Sequence, residues 1–282
     1  MSSSTNKTNQ RVAVVTGSST GIGYEISLAL ARSGFLTYAT MRDLSKRDRI
    51  QSIADKERLL IHVTQLDVTD DHSVKTAINS IVSEAGRIDI LVNNAGFGVV
   101  GPFEDVAIDE IKKQYETNFY GVIRVTQAVL PTMRKQMSGR IINISSGAGR
   151  FGYPGGSAYV SSKFALEGLS ECMVYELERF GIKVVLVEPG FIKTNFGNNL
   201  VVAKKAQDPS SPYAKLMQEM QSTFGELAGR AAPATLVAEK VVEAATFDNP
   251  KLRYLAGKDV EQWVAAKKSM SDEEFYAMMK RT

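Results

Sequence analysis

A single cysteine, Cys172, is the whole thiol content of the 282-residue chain. One cysteine closes no internal disulfide, so no disulfide framework supports the fold. Histidine is nearly as scarce: His62 and His72 are the only two, too little material for a zinc site, and no metal site is expected. An excess of one charge is also missing. Thirty-four basic and 31 acidic residues leave a net charge of +3, too small to suggest a nucleic-acid surface. The stretch Arg47-Asp48-Arg49 is too mixed to form a basic patch. No long apolar run is present. Val12–Val15 and Val184–Val187 are strand length, whereas a transmembrane helix needs roughly 20 apolar residues, so no span is expected. Residues 1–10 lack the apolar core of a signal peptide and are expected to form a disordered lead-in. The cytoplasm is the expected location.

What is present is a mixed composition, 44% hydrophobic, which argues against disorder, collagen-like repeats and a coiled coil. Short β-branched runs alternate with longer helical patterns. Strands are expected at Arg11–Thr16, Leu36–Met41, Leu59–Leu66, Ile88–Val92, Arg140–Ile144, Lys183–Val187 and Leu252–Leu255, with helices such as Gly21–Ser33, Ser73–Ala85, Ile108–Lys135 and Ser157–Phe180 between them. Several strands are apolar at consecutive positions, as strands buried on both faces of a parallel sheet are. Repeated β-α units imply right-handed crossovers, with helices on both faces. The expectation is an α/β fold, a doubly wound parallel sheet of about seven strands, in one domain over residues 11–282. One stretch breaks the rhythm: residues 195–233 contain Asp208-Pro209, Ser211-Pro212 and a Met-rich, helical-looking middle. A long excursion in a compact domain is commonly a lid, and a substrate lid is expected here. Residues 259–282 form an expected helical extension, with a capping box at Ser271–Glu274.

The first expected strand runs into Thr16-Gly17-Ser18-Ser19-Thr20-Gly21-Ile22-Gly23, then into a helix with Ile26, Ala29 and Leu30 on one face. Phosphate must approach backbone N–H groups at a helix N-terminus, where the dipole favours negative charge. Glycines permit the tight turn and remove side chains that would block that approach. The spacing is Gly-x3-Gly-x-Gly, not the general dinucleotide fingerprint, and no Gly-Lys-Ser/Thr follows as a P-loop requires. Further motifs follow in order: Asp67-Val68, Asn93-Asn94-Ala95-Gly96, Asn118, Ile144-Ser145-Ser146, Tyr159-x3-Lys163 and Pro189-Gly190-x3-Thr194. Together they resemble the single-domain branch of the short-chain dehydrogenase/reductase family. Tyr38–Leu44 and Asn93–Gly98 are similar to its 17β-hydroxysteroid and retinol dehydrogenase-like members. The resemblance implies a Rossmann-type sheet and an oxidoreductase.

Tyr159 and Lys163 lie four apart, on one helix face. The apolar stripe Leu166, Leu169, Met173, Leu177, Phe180 reaches them when extended back one turn, and an inward lysine needs a polar partner. The resemblance implies that Tyr159 is the general acid in reduction and the base in oxidation. A free tyrosine pKa of about 10 is too high for easy transfer near neutrality, and a Lys163 ammonium favours the phenolate. Ser146, thirteen residues before Tyr159, is implied to hydrogen-bond the substrate oxygen, and Asn118 to anchor a water between Lys163 and solvent. The implied cofactor positions are Gly17, Ser19, Gly21, Ile22 and Gly23 in the turn, Arg42 at a 2′-phosphate, Asp67 and Val68 at the adenine, and Asn94, Ala95 and Gly96 at the adenosine side. Tyr159, Lys163, Pro189 and Gly190 join them, with Ile192 and Thr194 at the nicotinamide amide. Asn93 is expected to stabilise the central sheet.

The choice of cofactor turns on the end of the second strand. The place where an NAD enzyme usually has a carboxylate is, by the resemblance, Met41, and Arg42 follows, with Lys46 and Arg47 nearby. NADP(H) is expected to be preferred; NAD(H) is the alternative if Asp43 reaches the ribose. Phe97, Val99, Val100, Phe151, Tyr153, Phe191, Phe196, Leu216, Met217 and Met220 lie in segments expected to bound the site, which suggests a mainly apolar carbonyl or alcohol substrate. Arg150, the one charge near the mouth, is expected to face water. Cys172 reads as a packing residue. The resemblance implies a homodimer or homotetramer through the two long helices. The rival is a dinucleotide-sensing protein without catalysis, against which intact Ser146, Tyr159 and Lys163 argue.

Overall fold

Residues 10–194 and 200–280 are described by the computed structural model of the chain. Seven strands make one parallel sheet: β1 (Val12–Val15), β2 (Leu36–Met41), β3 (Ile61–Gln65), β4 (Ile90–Asn93), β5 (Gly139–Ile144), β6 (Ile182–Pro189) and β7 (Arg253–Ala256), in the order β7-β6-β5-β4-β1-β2-β3. Each lies within two residues of its expected position. The helices are α1 (Gly21–Arg32), α2 (Asp48–Glu57), α3 (Asp71–Ala85), α4 (Ile108–Tyr115), α5 (Gly121–Gln136), α6 (Ser157–Leu177), α7 (Ala214–Gly229), α8 (Ala234–Thr246), α9 (Lys258–Ser269) and α10 (Asp272–Met279). This is the doubly wound, Rossmann-like arrangement.

The sheet explains why its strands are apolar at consecutive positions. Val12 and Val14 point into one layer with Leu91, Ile141 and Val184, packed by α3, α5 and α6 through Ile78, Val129 and Met173. Ala13 and Val15 point the other way, with Val92, Ile142 and Val185, against Ile26 and Leu30 of α1 and Val237 and Val241 of α8. Each fully buried Val or Ile in these layers contributes about 1.5–3 kcal/mol relative to exposure. Asn93 donates to Thr126 at 3.0 Å and to Asn143 at 2.9 Å, a buried polar stitch between β4, α5 and β5.

Two helices were not visible as stripes. α2 buries only Ile50 and Ala54, and α8 packs largely through alanines. The expected helix Ile108–Lys135 is interrupted by a π turn at Glu116–Tyr120, between α4 and α5. Such single turns are frequent at functional sites, and this one carries Asn118.

The strand order reverses between β1 and β4. In open α/β sheets ligands bind in the crevice outside the carboxyl ends of the strands at that point. The excursion beyond β6 lies near this crevice. Leu200–Val202 pairs in parallel with Gly98–Val100, and Ile192–Lys193 pairs with Ala232–Pro233. The buried Asp105 carboxylate fastens the excursion, accepting from Ser211 Oγ at 2.6 Å and pairing with Lys205 at 3.2 Å. Most of the expected lead-in, residues 1–9, lies outside the described residues, as do residues 195–199 with Phe196. Among the described residues no helix is long and apolar enough to cross a membrane.

Candidate active site

A cavity of about 690 Å3 opens at the strand-order reversal. Its walls include the first glycine turn (Gly17, Ser19, Gly21, Ile22), the end of β2 (Arg42), Asp67-Val68 and Asn94-Ala95-Gly96. Across from these stand Asn118, Ser146, Tyr159 and Lys163, then Pro189, Gly190, Ile192 and Thr194. Residues up to about 180 positions apart in the sequence are thus brought to one crevice. Of the expected catalytic and cofactor positions only Gly23 is not on the wall, and of the apolar residues expected to bound the site only Phe97 is on it among the described residues. A Cβ on Gly23 would sit 2.3 Å from Asn94 Nδ2 and from Gly17 O, so this glycine allows helix and turn to close.

The glycine turn suits a dinucleotide. Gly17 has φ +71°, and a Cβ on it would lie 2.9 Å from Ala95 Cα, so only glycine fits. Thr20 makes no side-chain cap bond and the first turn of α1 holds no acidic residue. The N–H groups at this helix end therefore face the crevice with no carboxylate competing for them. Thr16 and Asn94 brace the turn: Thr16 Oγ1 accepts from the N–H groups of Asn94 and Ala95 at 3.0 and 3.1 Å. Asn94 Nδ2 donates to the carbonyls of Thr16 and Gly17 at 2.9 and 3.1 Å.

At the end of β2, Met41 borders the cavity and is buried among Tyr24, Leu28 and Ile50. No carboxylate occupies that place. Arg42, Asp43 and Lys46 are all exposed on the cavity rim. The Asp43 carboxylate is taken up locally: its Oδ1 accepts from Ser45 N at 3.0 Å and Ser45 Oγ at 2.7 Å, which caps the short turn Leu44–Lys46, and its Oδ2 lies 4.0 Å from Lys46 Nζ. Those bonds hold its carboxyl below the usual range.

α6 aims Tyr159 and Lys163 into the opposite wall. Ser146 sits just beyond β5, its Oγ accepting from Ala148 N at 3.1 Å. Burial pushes the Tyr159 phenol up to about 12, and a hydrogen bond with Ser146 pulls the other way. The lowering expected from Lys163 is not seen: burial raises the phenol. Lys163 Nζ lies 5.7 Å from the Tyr159 ring centre and donates to Ile144 O at 2.8 Å. Burial also brings the Lys163 ammonium down to about 8, with the Glu167 charge opposing. The Asn118 side chain is occupied: it accepts from Phe97 N at 3.1 Å and donates to Phe97 O at 2.9 Å and to Ser162 Oγ at 3.4 Å.

A hydroxyl pair and a buried lysine beside a glycine-turn crevice, in this chain order, match a known pattern. The family model for short chain dehydrogenases covers residues 11–205. The chain belongs to the short-chain dehydrogenase family. The chain is 40% identical over 261 residues to an uncharacterized oxidoreductase, YusZ, of Bacillus subtilis, covering 90% of this chain and 91% of that one. It is 42% identical over 189 residues to a 3-ketodihydrosphingosine reductase of Bacteroides thetaiotaomicron, covering 67% and 66%. Retinol dehydrogenase 8 of Bos taurus is 39% identical over 195 residues, covering 68% and 62%. Among solved structures, a short-chain dehydrogenase from Streptomyces avermitilis superposes with a TM-score of 0.82 at 30% identity, covering 97% and 96%. A metagenomic short-chain oxidoreductase in complex with NADP gives 0.69 at 27% identity, covering 87% and 96%. The protein is an oxidoreductase of this family, and a nicotinamide dinucleotide cofactor is supported.

Some expectations change. Arg150 is half-buried rather than free in water; its Nη1 pairs with the fully buried Glu188 at 3.1 Å. Val99 and Phe151 fill core rather than the cavity, Val99 with Val106 and Ala203 and Phe151 with Val260 and Phe275. Cys172 is exposed rather than packed. Other residues that shape the site carry no mark in the sequence. Asp259 of α9 accepts from Phe191 N at 2.7 Å and lies against Gly190, fixing the turn after β6. Arg124 donates to Val68 O at 2.7 Å and so steadies the third-strand corner. No local signal marks these pairs, because the partners lie 56 to 68 positions apart.

Proposed function

We propose that this dehydrogenase is an NADP(H)-dependent enzyme that interconverts a ketone or aldehyde and an alcohol on a mainly apolar substrate. The observation that carries the reading is the hydrogen-bonded Ser146–Tyr159 pair beside buried Lys163, on the wall facing the glycine turn. The cofactor would be held by Gly17, Ser19, Gly21 and Ile22 in the turn, by Asp67, Val68 and Asn94–Gly96 along the adenosine side, and by Lys163, Pro189, Gly190, Ile192 and Thr194 near the nicotinamide. When bound, the nicotinamide supplies or accepts the hydride. Tyr159 Oη gives a proton to the substrate oxygen in reduction and takes it back in oxidation. Ser146 Oγ holds that oxygen as charge develops. The Lys163 ammonium stabilises the phenolate left on Tyr159. Asn118, its side chain taken up by Phe97 and Ser162, would anchor a water between Lys163 and solvent through its backbone carbonyl.

The preference for NADP(H) is supported by Arg42 and Lys46 on the rim and by a buried Met41 where a carboxylate would repel a 2′-phosphate. NAD(H) is the weaker alternative. An apolar substrate is supported by Phe97 on the cavity wall and by the relatives whose names specify retinol or 3-ketodihydrosphingosine. In this reading residues 11–282 form one domain, with residues 195–233 as the lid and residues 259–282 as a helical extension behind it. Phe224 of α7 supports that role, lying 5.8 Å from Phe191 and 6.3 Å from Tyr153 between ring centres. The cytoplasm and a homodimer or homotetramer through α5 and α6 complete the proposal. A panel of ketones, aldehydes and alcohols, followed by nicotinamide absorbance with both cofactors, tests it. Turnover with NADP(H) is expected; a preference for NAD(H) refutes the cofactor assignment, and binding without any turnover refutes the enzyme.

A further inference from the structure

Behind the cavity wall lies a chain of buried charges that the proposed chemistry leaves unexplained. Glu188, next to Pro189 at the end of β6, is fully buried. Arg150, on the loop after Ser146, donates to both its carboxylate oxygens at 3.1 and 3.3 Å. Arg253 of β7 reaches it from the other side at 3.0 Å. The same guanidinium pairs with Glu167 at 3.0 Å and with the half-exposed Glu171. Glu167 is 6% exposed and sits one helical turn after Lys163.

Two arginines thus face three glutamates, Glu167, Glu171 and Glu188, which leaves one negative charge near Lys163. The geometry beside Glu167 is unusual. Its Oε1 has no hydrogen-bond partner, nor has the buried Ser145 Oγ. Both oxygens flank Gly149, where a Cβ would lie 2.9 Å from Ser145 Oγ and 3.2 Å from Glu167 Oε1. A buried carboxylate with an unpaired oxygen is costly unless a charge answers it. Lys163, 7% exposed and bonded to a neutral carbonyl, carries the opposite need.

We propose that Glu167, held by Arg253, is a positioning residue for Lys163, the buried counter-charge that keeps its amine an ammonium, and that Arg150 and Glu188 tie this counter-charge to the loop carrying Ser146. The proposal rests on the role of Lys163 given above. The charges that meet here are Lys163 and Glu171 from the same helix, Arg253 from β7, Glu188 from β6 and Arg150 from the loop; Tyr159 faces Lys163 from one turn back. The Glu167 charge opposes the burial that lowers Lys163. Removing it therefore lets the lysine lose its proton at lower pH.

The test uses the full chain labelled at lysine 13Cε, with and without NADP+, and follows the Lys163 resonance against pH by NMR. Lys163→Met assigns the signal. Glu167→Gln is expected to lower the Lys163 midpoint by about half a pH unit or more. The alkaline limb of kcat/KM should move in the same direction. Glu167→Asp keeps the charge but withdraws it, and its midpoint should fall between the other two. Should Glu167→Gln not fold, the aspartate variant decides: a midpoint below that of the wild type supports the proposal, and one equal or higher overturns it. A folded glutamine variant with an unmoved midpoint, or with a moved midpoint and an unmoved kinetic limb, also overturns it. Full activity in Tyr159→Phe would sink the catalytic reading instead and leave the NMR comparison standing.

Discussion

At the scale of single residues, the site depends on where charge is and is not compensated. Arg42 is exposed at the rim, and in the proposed reading it meets a 2′-phosphate; a charge-assisted bond of that kind contributes about 1.5–3 kcal/mol. Arg42→Ala is therefore expected to weaken NADP(H) binding about tenfold or more while changing NAD(H) binding less than about threefold, as read by nicotinamide fluorescence titration. Equal weakening of both cofactors contradicts the assignment. Lys163 makes a second prediction, about stability. The folded protein releases this proton at about 8, whereas the free side chain keeps it to 10.5. Between these values the unfolded state binds more protons, so the lysine's contribution to stability rises with pH. Lys163→Met lacks that cost. At pH 7 it should be more stable than the wild type by about 1–3 kcal/mol, with the gap closing toward pH 10. Urea unfolding across that range checks the sign, and a gap that widens with pH contradicts it.

At the scale of elements, the excursion after β6 is fastened at one end and packed by aromatics at the other. Asp105, Ser211 and Lys205 hold residues 205–211 against the Gly98–Asp105 segment. Further on, α7 meets Tyr153 and Phe191 through Phe224. If α7 covers substrate, Phe224→Ala should raise KM for bulky apolar carbonyls about tenfold, the cost of losing part of a large apolar contact. Small aldehydes and the cofactor should be little affected. A uniform rise across substrates contradicts the lid. The same elements show what the sequence made legible. Motifs on one segment, such as Gly17–Gly23 or Tyr159–Lys163, could be read because their spacing matches a single turn or helix face. Strands were readable because both faces of the sheet are apolar. Asp105 with Ser211, Asp259 with Phe191 and Arg150 with Glu188 were not, since each pair is made only by folding across 38 to 106 positions. Arg150 turns inward for the same reason: its carboxylate partner, Glu188, is supplied by a strand 38 positions on.

At the scale of the whole molecule, a parallel sheet with helices on both faces leaves apolar side chains outside as well as inside. Tyr175 is 81% exposed and Phe164 47%, both on α6, with Tyr120 of the π turn also exposed. In the proposed assembly these sit between copies of the chain. Phe164→Glu combined with Tyr175→Glu should dissociate it, read as a fall in mass by light scattering, while unchanged mass contradicts an interface through α6. In the proposed reading, proton transfer in this fold runs through one phenol. The direct measurement is single-turnover oxidation of NADPH by Tyr159→Phe, with cofactor affinity measured on the same preparation. The account predicts a rate reduced by about a thousandfold or more, as loss of a positioned acid–base group entails, with affinity kept within about threefold. A rate equal to that of the wild type, with cofactor bound, would contradict it.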